Sequence, residues 1–153
     1  MKSDRKSILS YITTIDVDKT VAEISKLLAA ARATAILFEF NDGLGIAVSF
    51  RIKTEFGPLT FRLPANFDGV YAVLQRSHTI GPKFKTRSHA ARVAWRVILH
   101  WLDAQLAMIQ AGVAAAEQIF LPYVQDQADV TIYEQLMGMP IFRLFAAASW
   151  LTN

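Results

Sequence analysis

The run from His89 to Leu121, HAARVAWRVILHWLDAQLAMIQAGVAAAEQIFL, constrains the fold more than any other part of the chain. It has no proline and one glycine (Gly112), it is rich in strong helix formers, and Pro122 follows it. These features predict one long helix over 86–121. At 1.5 Å per residue such a helix is about 50 Å long. A compact chain of this size is only about 40 Å across. The helix must therefore protrude, kink near Gly112 or pack into an oligomer.

Helical spacing sorts its side chains. Arg92, Arg96, Asp103, Gln110 and Glu117 form one narrow polar stripe. Trp95, Leu102, Leu106, Ile109 and Val113 line one flank, and Ala94, Ile98, Trp101, Met108 and Gly112 lie opposite. A surface helix needs a single apolar stripe, whereas this one is apolar around most of its circumference. It is either a central core helix or a helix shared between its own domain and a partner subunit. Its length favours the second, a homo-oligomer built on this helix and on the apolar tail at 138–153.

Composition agrees: 53% hydrophobic against 19% charged residues is rich for a soluble monomer and suggests surface buried between subunits. At 153 residues the chain is expected to form a single domain. No apolar run reaches the length of a membrane span. The start, MKSDRKS, is charged and lacks the apolar core of a signal peptide. Without cysteine there is no disulfide framework and no thiolate nucleophile. A cytoplasmic protein is expected.

The rest of the chain reads as α+β, with an antiparallel sheet of three to four strands in β-α-β-β-β-α order. Residues 1–7 are polar and expected to be frayed. Leu9–Ile15 is β-branched and aromatic and predicts a short strand. Asp16 and Asp18 suit a helix start, and Thr20 with Glu23 has capping-box spacing. The helix that follows, to about Ala31, puts Val21, Ile24, Leu27 and Leu28 on one face. A meander comes next: Ala35–Phe40, the hairpin signal Asn41-Asp42-Gly43, Leu44–Lys53, and Leu59–Leu63 after a turn at Glu55–Pro58. Alternation places Leu44, Ile46, Val48, Phe50, Ile52, Leu59, Phe61 and Leu63 inward, and Ser49, Arg51, Lys53, Thr60 and Arg62 outward. Asn66 caps a helix over Phe67–Arg76, and the loop His78–Arg87 holds Gly81-Pro82. Beyond the long helix, Thr131 caps a short helix that Gly138 and Pro140 stop.

Charge is unevenly spread. Residues 1–100 hold 15 of the 16 Lys and Arg, and between Asp68 and Asp103 there is no acid. Arg76, Lys83, Lys85, Arg87, Arg92, Arg96 and all three histidines lie in that gap. A helix start carries partial positive charge and unpaired N–H groups. Lys83, Lys85, Arg87, Arg92 and Arg96 around such a start repel one another unless something compensates. A bound phosphate would do so, as would acids elsewhere in the fold, such as Asp68 or Glu55. Arg51 and Arg62 on the outer sheet face are further candidates, and Tyr71 or Trp95 could stack on a base.

Catalytic signatures are weak. His89 and His100 are about 16 Å apart along the helix and cannot share a metal ion. Ser88 adjoins His89, and His100 could meet Asp103 across one turn, but no nucleophile elbow accompanies them. Such a pair is more commonly a surface contact, with Arg96 as the salt-bridge partner. Neither GxxxxGK[ST] nor GxGxxG occurs. No enzyme, cofactor or metal is expected.

The segments DKTVAEISKLLAAARATAI, FRLPANFDGVYAVL, AARVAWRVILHWLDAQLAMI, AAEQIFLPY and TIYEQL resemble a family of small proteins encoded by phages, prophages and integrated mobile elements. The resemblance spans about residues 11 to 137, and Arg92–Gln105 is its most specific part. It implies an accessory role, such as neutralising a host defence or assisting replication, and carries over no binding residue. The αβββα order is also that of double-stranded RNA-binding domains, an analogy of fold alone. The expected function is non-enzymatic binding of an anionic ligand, a nucleic acid or a nucleotide such as a defence second messenger. The alternative is an inhibitor or assembly factor that grips a host protein through an apolar helix surface, without membrane involvement.

Overall fold

The computed structural model describes residues 7–141 and Ala146. The start of the chain and the tail from Phe142, apart from Ala146, lie outside these residues. The fold is α+β: a three-stranded antiparallel sheet, five α-helices and short 3-10 turns among the described residues.

The predicted first strand is absent. Ile8–Tyr11 forms a 3-10 turn, in which the Ser10 N–H donates to the Ser7 carbonyl at 2.9 Å. Ile8, Leu9, Tyr11 and Ile12 all pack on a core cluster. That spacing matches a tight helix and not the period of two that a strand requires.

Helix α1 spans Val17–Ala30 with Asp16 at its N-cap and buries Thr20, Ile24 and Leu28 at four-residue spacing. Thr20 thus lies inside the helix and makes no capping box. At the far end Arg32 N–H donates to Ala29 O and Ala33 N–H to Leu28 O, the paired bonds of a Schellman motif. The residue in left-handed conformation there is Arg32 (φ 64°), where glycine is usual.

Strands β1 (Ala35–Asn41), β2 (Leu44–Thr54) and β3 (Gly57–Pro64) pair in that order. Asp42 and Gly43 both adopt positive φ, the conformation that a two-residue hairpin turn demands. The register sets Ile36 against Phe50 and Phe50 against Phe61 on the inner face. It jumps between Glu39 and Phe40 and leaves Ile46 as the extra residue of a bulge.

Helix α2 (Phe67–Arg76) starts at Asn66, whose Oδ1 accepts from the Gly69 N–H at 3.3 Å. Helix α3 covers Arg87–Gln110, 24 residues and about 36 Å, and is capped by Thr86. It stops well short of Leu121. Gly112 turns left-handed (φ 72°), its N–H donates to Ile109 O, and Val113 N–H donates to Met108 O. This Schellman stop resolves the length conflict by a break. A separate helix α4, Ala116–Phe120, follows and inserts Phe120 between Phe50 and Phe61, with ring centroids 5.4 Å from each.

Helix α3 is the centre of the core. No residue from His89 to Leu99 is exposed, and Trp95 and Leu102 are fully buried. Ile98, Trp101, Leu106 and Ile109 pack on the same core, so most of the apolar circumference is filled from within the chain. Only the far half shows an open face, at Asp103, Ala104, Ala107 and Met108. After α4, Val124 makes a single bridge to Phe61 on β3, too short to count as a fourth strand. Helix α5 (Ile132–Met137) is held by a capping box between Thr131 and Glu134. Hydrogen bonds from Thr131 hold the Glu134 carboxyl below the usual carboxylate range. Among the described residues no helix is long and apolar enough to cross a membrane.

Candidate functional site

The basic residues expected to act together fall into two groups on opposite sides of the sheet. The first surrounds the elbow between α2 and α3. Gln75 Nε2 donates to Lys85 O at 2.8 Å, and Lys85 Nζ donates to Ser77 O at 2.7 Å, which closes the loop. Lys83 Nζ stands 4.8 Å from the centre of the Phe84 ring. The Arg87 guanidinium lies over Phe67 and Tyr71, 5.2 and 5.8 Å from their centres, and donates to Asp68 Oδ1 at 2.9 Å. The first turn of α3 contains no acid.

One turn further, Arg92 donates to Asp16 Oδ1 at 2.8 Å and ties α3 to the N-cap of α1. Arg96 pairs with Glu23 and also reaches Thr20 Oγ1 at 3.4 Å. Each arginine of α3 in the cluster thus meets an acid from another element. The strength of that commitment differs. The side chains of Arg87 and Asp68 keep 55% and 71% of their exposure, and such a surface pair contributes under about 1 kcal/mol. Arg96 keeps only 16%, so it serves the α1–α3 contact and offers little to an external phosphate.

His89 sits inside this group. Its Nδ1 is 3.0 Å from Thr86 Oγ1, and the Phe84 ring meets it edge-on at 5.3 Å. Burial, reinforced by the charges of Arg92 and Lys83, lowers its pKa from the ordinary 6.5.

The second group, Arg51 and Arg62, lies on the outer sheet face, away from α3. Arg51 Nε donates to Thr60 Oγ1 at 3.2 Å, and Arg62 Nε donates to Glu39 Oε2 at 2.8 Å. Both line a cleft of about 490 Å³ together with Glu39, Asp129 and Glu134. Acids outnumber bases there, so the cleft does not favour an anion. A second cleft of about 470 Å³, between α1 and the far half of α3, is lined largely by Leu27, Ile52, Leu106, Ile109 and alanines.

Trp95 cannot stack on a base: it is fully buried, and its Nε1 donates to Gly45 O at 3.0 Å. Tyr71 is occupied beneath Arg87. Arg96 pairs with Glu23 and not with Asp103, and His100 packs against Tyr11 with centroids 5.7 Å apart. No metal-holding cluster of three or more His, Asp or Glu occurs among the described residues. The ion-pair partners Asp16, Glu23 and Glu39 carry no sequence signal, since they lie 76, 73 and 23 positions from their arginines. Asp68 was signalled, as the nearest acid upstream of the basic gap. Compared with known proteins, the chain matches no family model, no curated protein and no solved structure, so neither the phage resemblance nor the fold analogy gains support from a relative.

Proposed function

We propose that the protein is a non-enzymatic binding protein whose α2–α3 elbow engages the phosphates of a nucleic acid. The observation that carries this is the charge balance of the elbow. Arg76, Lys83, Lys85, Arg87 and Arg92 converge there, and among the described residues only Asp68 and Asp16 pair with them. Three positive charges therefore have no acidic partner among the described residues, beside a helix start whose Thr86 cap takes up the His89 N–H. The Arg87 pair is weak enough for a phosphate oxygen to replace the carboxylate. Arg76, Lys83 and Arg87 are exposed on the surface of the elbow, which suits the extended backbone of a nucleic acid better than an enclosed nucleotide. In this reading Lys83, Arg87 and Arg92 hold the phosphates with Arg76 added, and Lys85, whose Nζ donates to Ser77 O, contributes charge beside them. Arg96, Arg62 and Arg51 become structural or belong to the other face.

An accessory role for a phage or mobile element in the host cytoplasm, including interference with a defence system, is the setting that the family resemblance implies. The open face at Ala104, Ala107 and Met108 favours the second possibility, a host protein gripped through α3.

Fluorescence anisotropy with short RNA and DNA tests the proposal. With about four phosphates neutralised, affinity falls about 100-fold between about 50 and 200 mM salt. Lys83→Glu with Arg87→Glu abolishes binding while the fold persists. No binding at the lowest salt, or binding indifferent to that double variant, refutes it.

A further inference from the structure

Strand β1 pairs only with β2 among the described residues, so its other edge presents unpaired backbone groups. Exposed edges are ordinarily protected by lysine, proline, inward charges or brevity. β1 has the sequence AILFEFN, with no lysine, arginine or proline and the single charge Glu39. That charge is already paired with Arg62. On this edge strand Leu37 is 60% exposed and Phe40 is 50% exposed. β1 carries no bulge of its own: the register shift opposite Glu39 and Phe40 comes from the extra residue Ile46 on β2, and it leaves Ala35–Glu39 as the regularly paired run.

We infer that this edge is a self-association surface, at which β1 pairs antiparallel with β1 of a second copy of the chain across a two-fold axis at Leu37. Leu37 is the midpoint of the regular run, so a two-fold there uses all of it. It sets Leu37 against the partner's Leu37 and covers the most exposed apolar side chain of the strand. It sets Ile36 against the partner's Phe38 on the inner face, where Ile36 and Phe38 already pack on the core and Phe38 meets Trp95 at 5.8 Å. The core layer then continues from one subunit into the next.

Charge complementarity selects a second copy over an arbitrary strand. On the outer face the same two-fold brings Ala35 opposite the partner's Glu39. Arg51 stands directly behind Ala35 in the β2 register and has no acidic partner among the described residues. Strands lie about 4.8 Å apart, so Arg51 reaches over the small Ala35 toward the partner's Glu39, which keeps its Arg62 pair and gains a second cation, twice by symmetry. The expected product is a continuous six-stranded sheet.

The native absence of cysteine makes the test clean. Light scattering on the full chain at about 100 µM, where a complex of micromolar Kd is populated, is expected to show a dimer. Leu37→Lys, which places two like charges across the axis, weakens the dimer at least about tenfold. Leu37→Cys cross-links on mild oxidation, because directly opposed Cβ atoms approach to about 4.5 Å, the upper end of disulfide geometry. Ala104→Cys, on the open face of α3, does not. If Leu37→Lys fails to fold, the Leu37→Cys cross-link decides alone. A monomer at every concentration overturns the inference, as does a dimer that cross-links through position 104 and not through position 37.

Discussion

Gly45 lies under the indole of Trp95, and no larger residue fits there. A Cβ added at Gly45 would sit 2.6 Å from Trp95 Nε1 and 2.8 Å from Cε2 and Cζ2. Non-bonded heavy atoms prefer about 3.5–4.0 Å, so indole or strand must move by about 1 Å. The indole is fully buried in the main core and cannot swing into solvent. Overpacking of this kind costs about 1–3 kcal/mol. The shift also strains the bond from Trp95 Nε1 to Gly45 O, the only one the indole makes, and leaving both groups unpaired adds about 1–3 kcal/mol. Gly45→Ala is therefore expected to cost about 2–6 kcal/mol, a large share of a typical stability of about 5–15 kcal/mol. That corresponds to a fall in Tm of about 4–24 °C for a chain of this length. Urea unfolding, with fluorescence and circular dichroism followed together, measures it. Trp95→Phe removes both the donor and the atoms that clash. The double variant is then less destabilised than the sum of the single ones, by about 1–2 kcal/mol. A Gly45→Ala protein within about 0.5 kcal/mol of the parent, or strict additivity in the cycle, would refute the packing argument.

Two further outcomes follow from local geometry. Arg32→Gly relieves a left-handed residue at the C-terminal end of α1 and raises stability by about 1 kcal/mol, measurable as a higher urea midpoint with unchanged slope; a loss of stability would mean that the Arg32 side chain makes a contact worth more than the strain. For His89 the folded pKa lies below the unfolded value of 6.5, so the unfolded chain takes up the proton first and stability falls as pH drops through that value toward the folded one. His89→Gln flattens this stretch of the profile as pH falls through about 6.5, and an unchanged slope would assign it elsewhere.

Local patterns made much of the fold legible. The Asn41-Asp42-Gly43 turn, the alternation through β3, the Asn66 and Thr131 caps and the α2 stripe appear where the sequence places them, because each is set by neighbours within a few residues, whereas the bulge at Ile46 and the burial of Ser49 interrupt the alternation expected of β2. The Leu9–Ile15 segment misled because β-branched and aromatic residues mark a surface that packs, and here the packing is against helices with a helical period. The long apolar run misled in a different way. Its helix formers are genuine, but one glycine in left-handed conformation outweighs them, because the break lets Phe120 join Phe50 and Phe61.

The candidate site shows the same division. The gap without acids from Asp68 to Asp103, the basic run beside a helix start and the absence of cysteine are properties of composition and order, and they are readable before any folding is considered. Which of those charges remain available was decided only by the tertiary structure. Asp16 and Glu23 reach Arg92 and Arg96 because α1 lies along α3, across more than 70 positions of chain. Arg51 and Arg62 are separated from the elbow because the sheet has two faces and α3 occupies the inner one. Coulomb attraction falls with distance in space and takes no account of distance along the chain. The charges could be counted from the sequence, but their pairing had to wait for the packing of α1 and the sheet on α3.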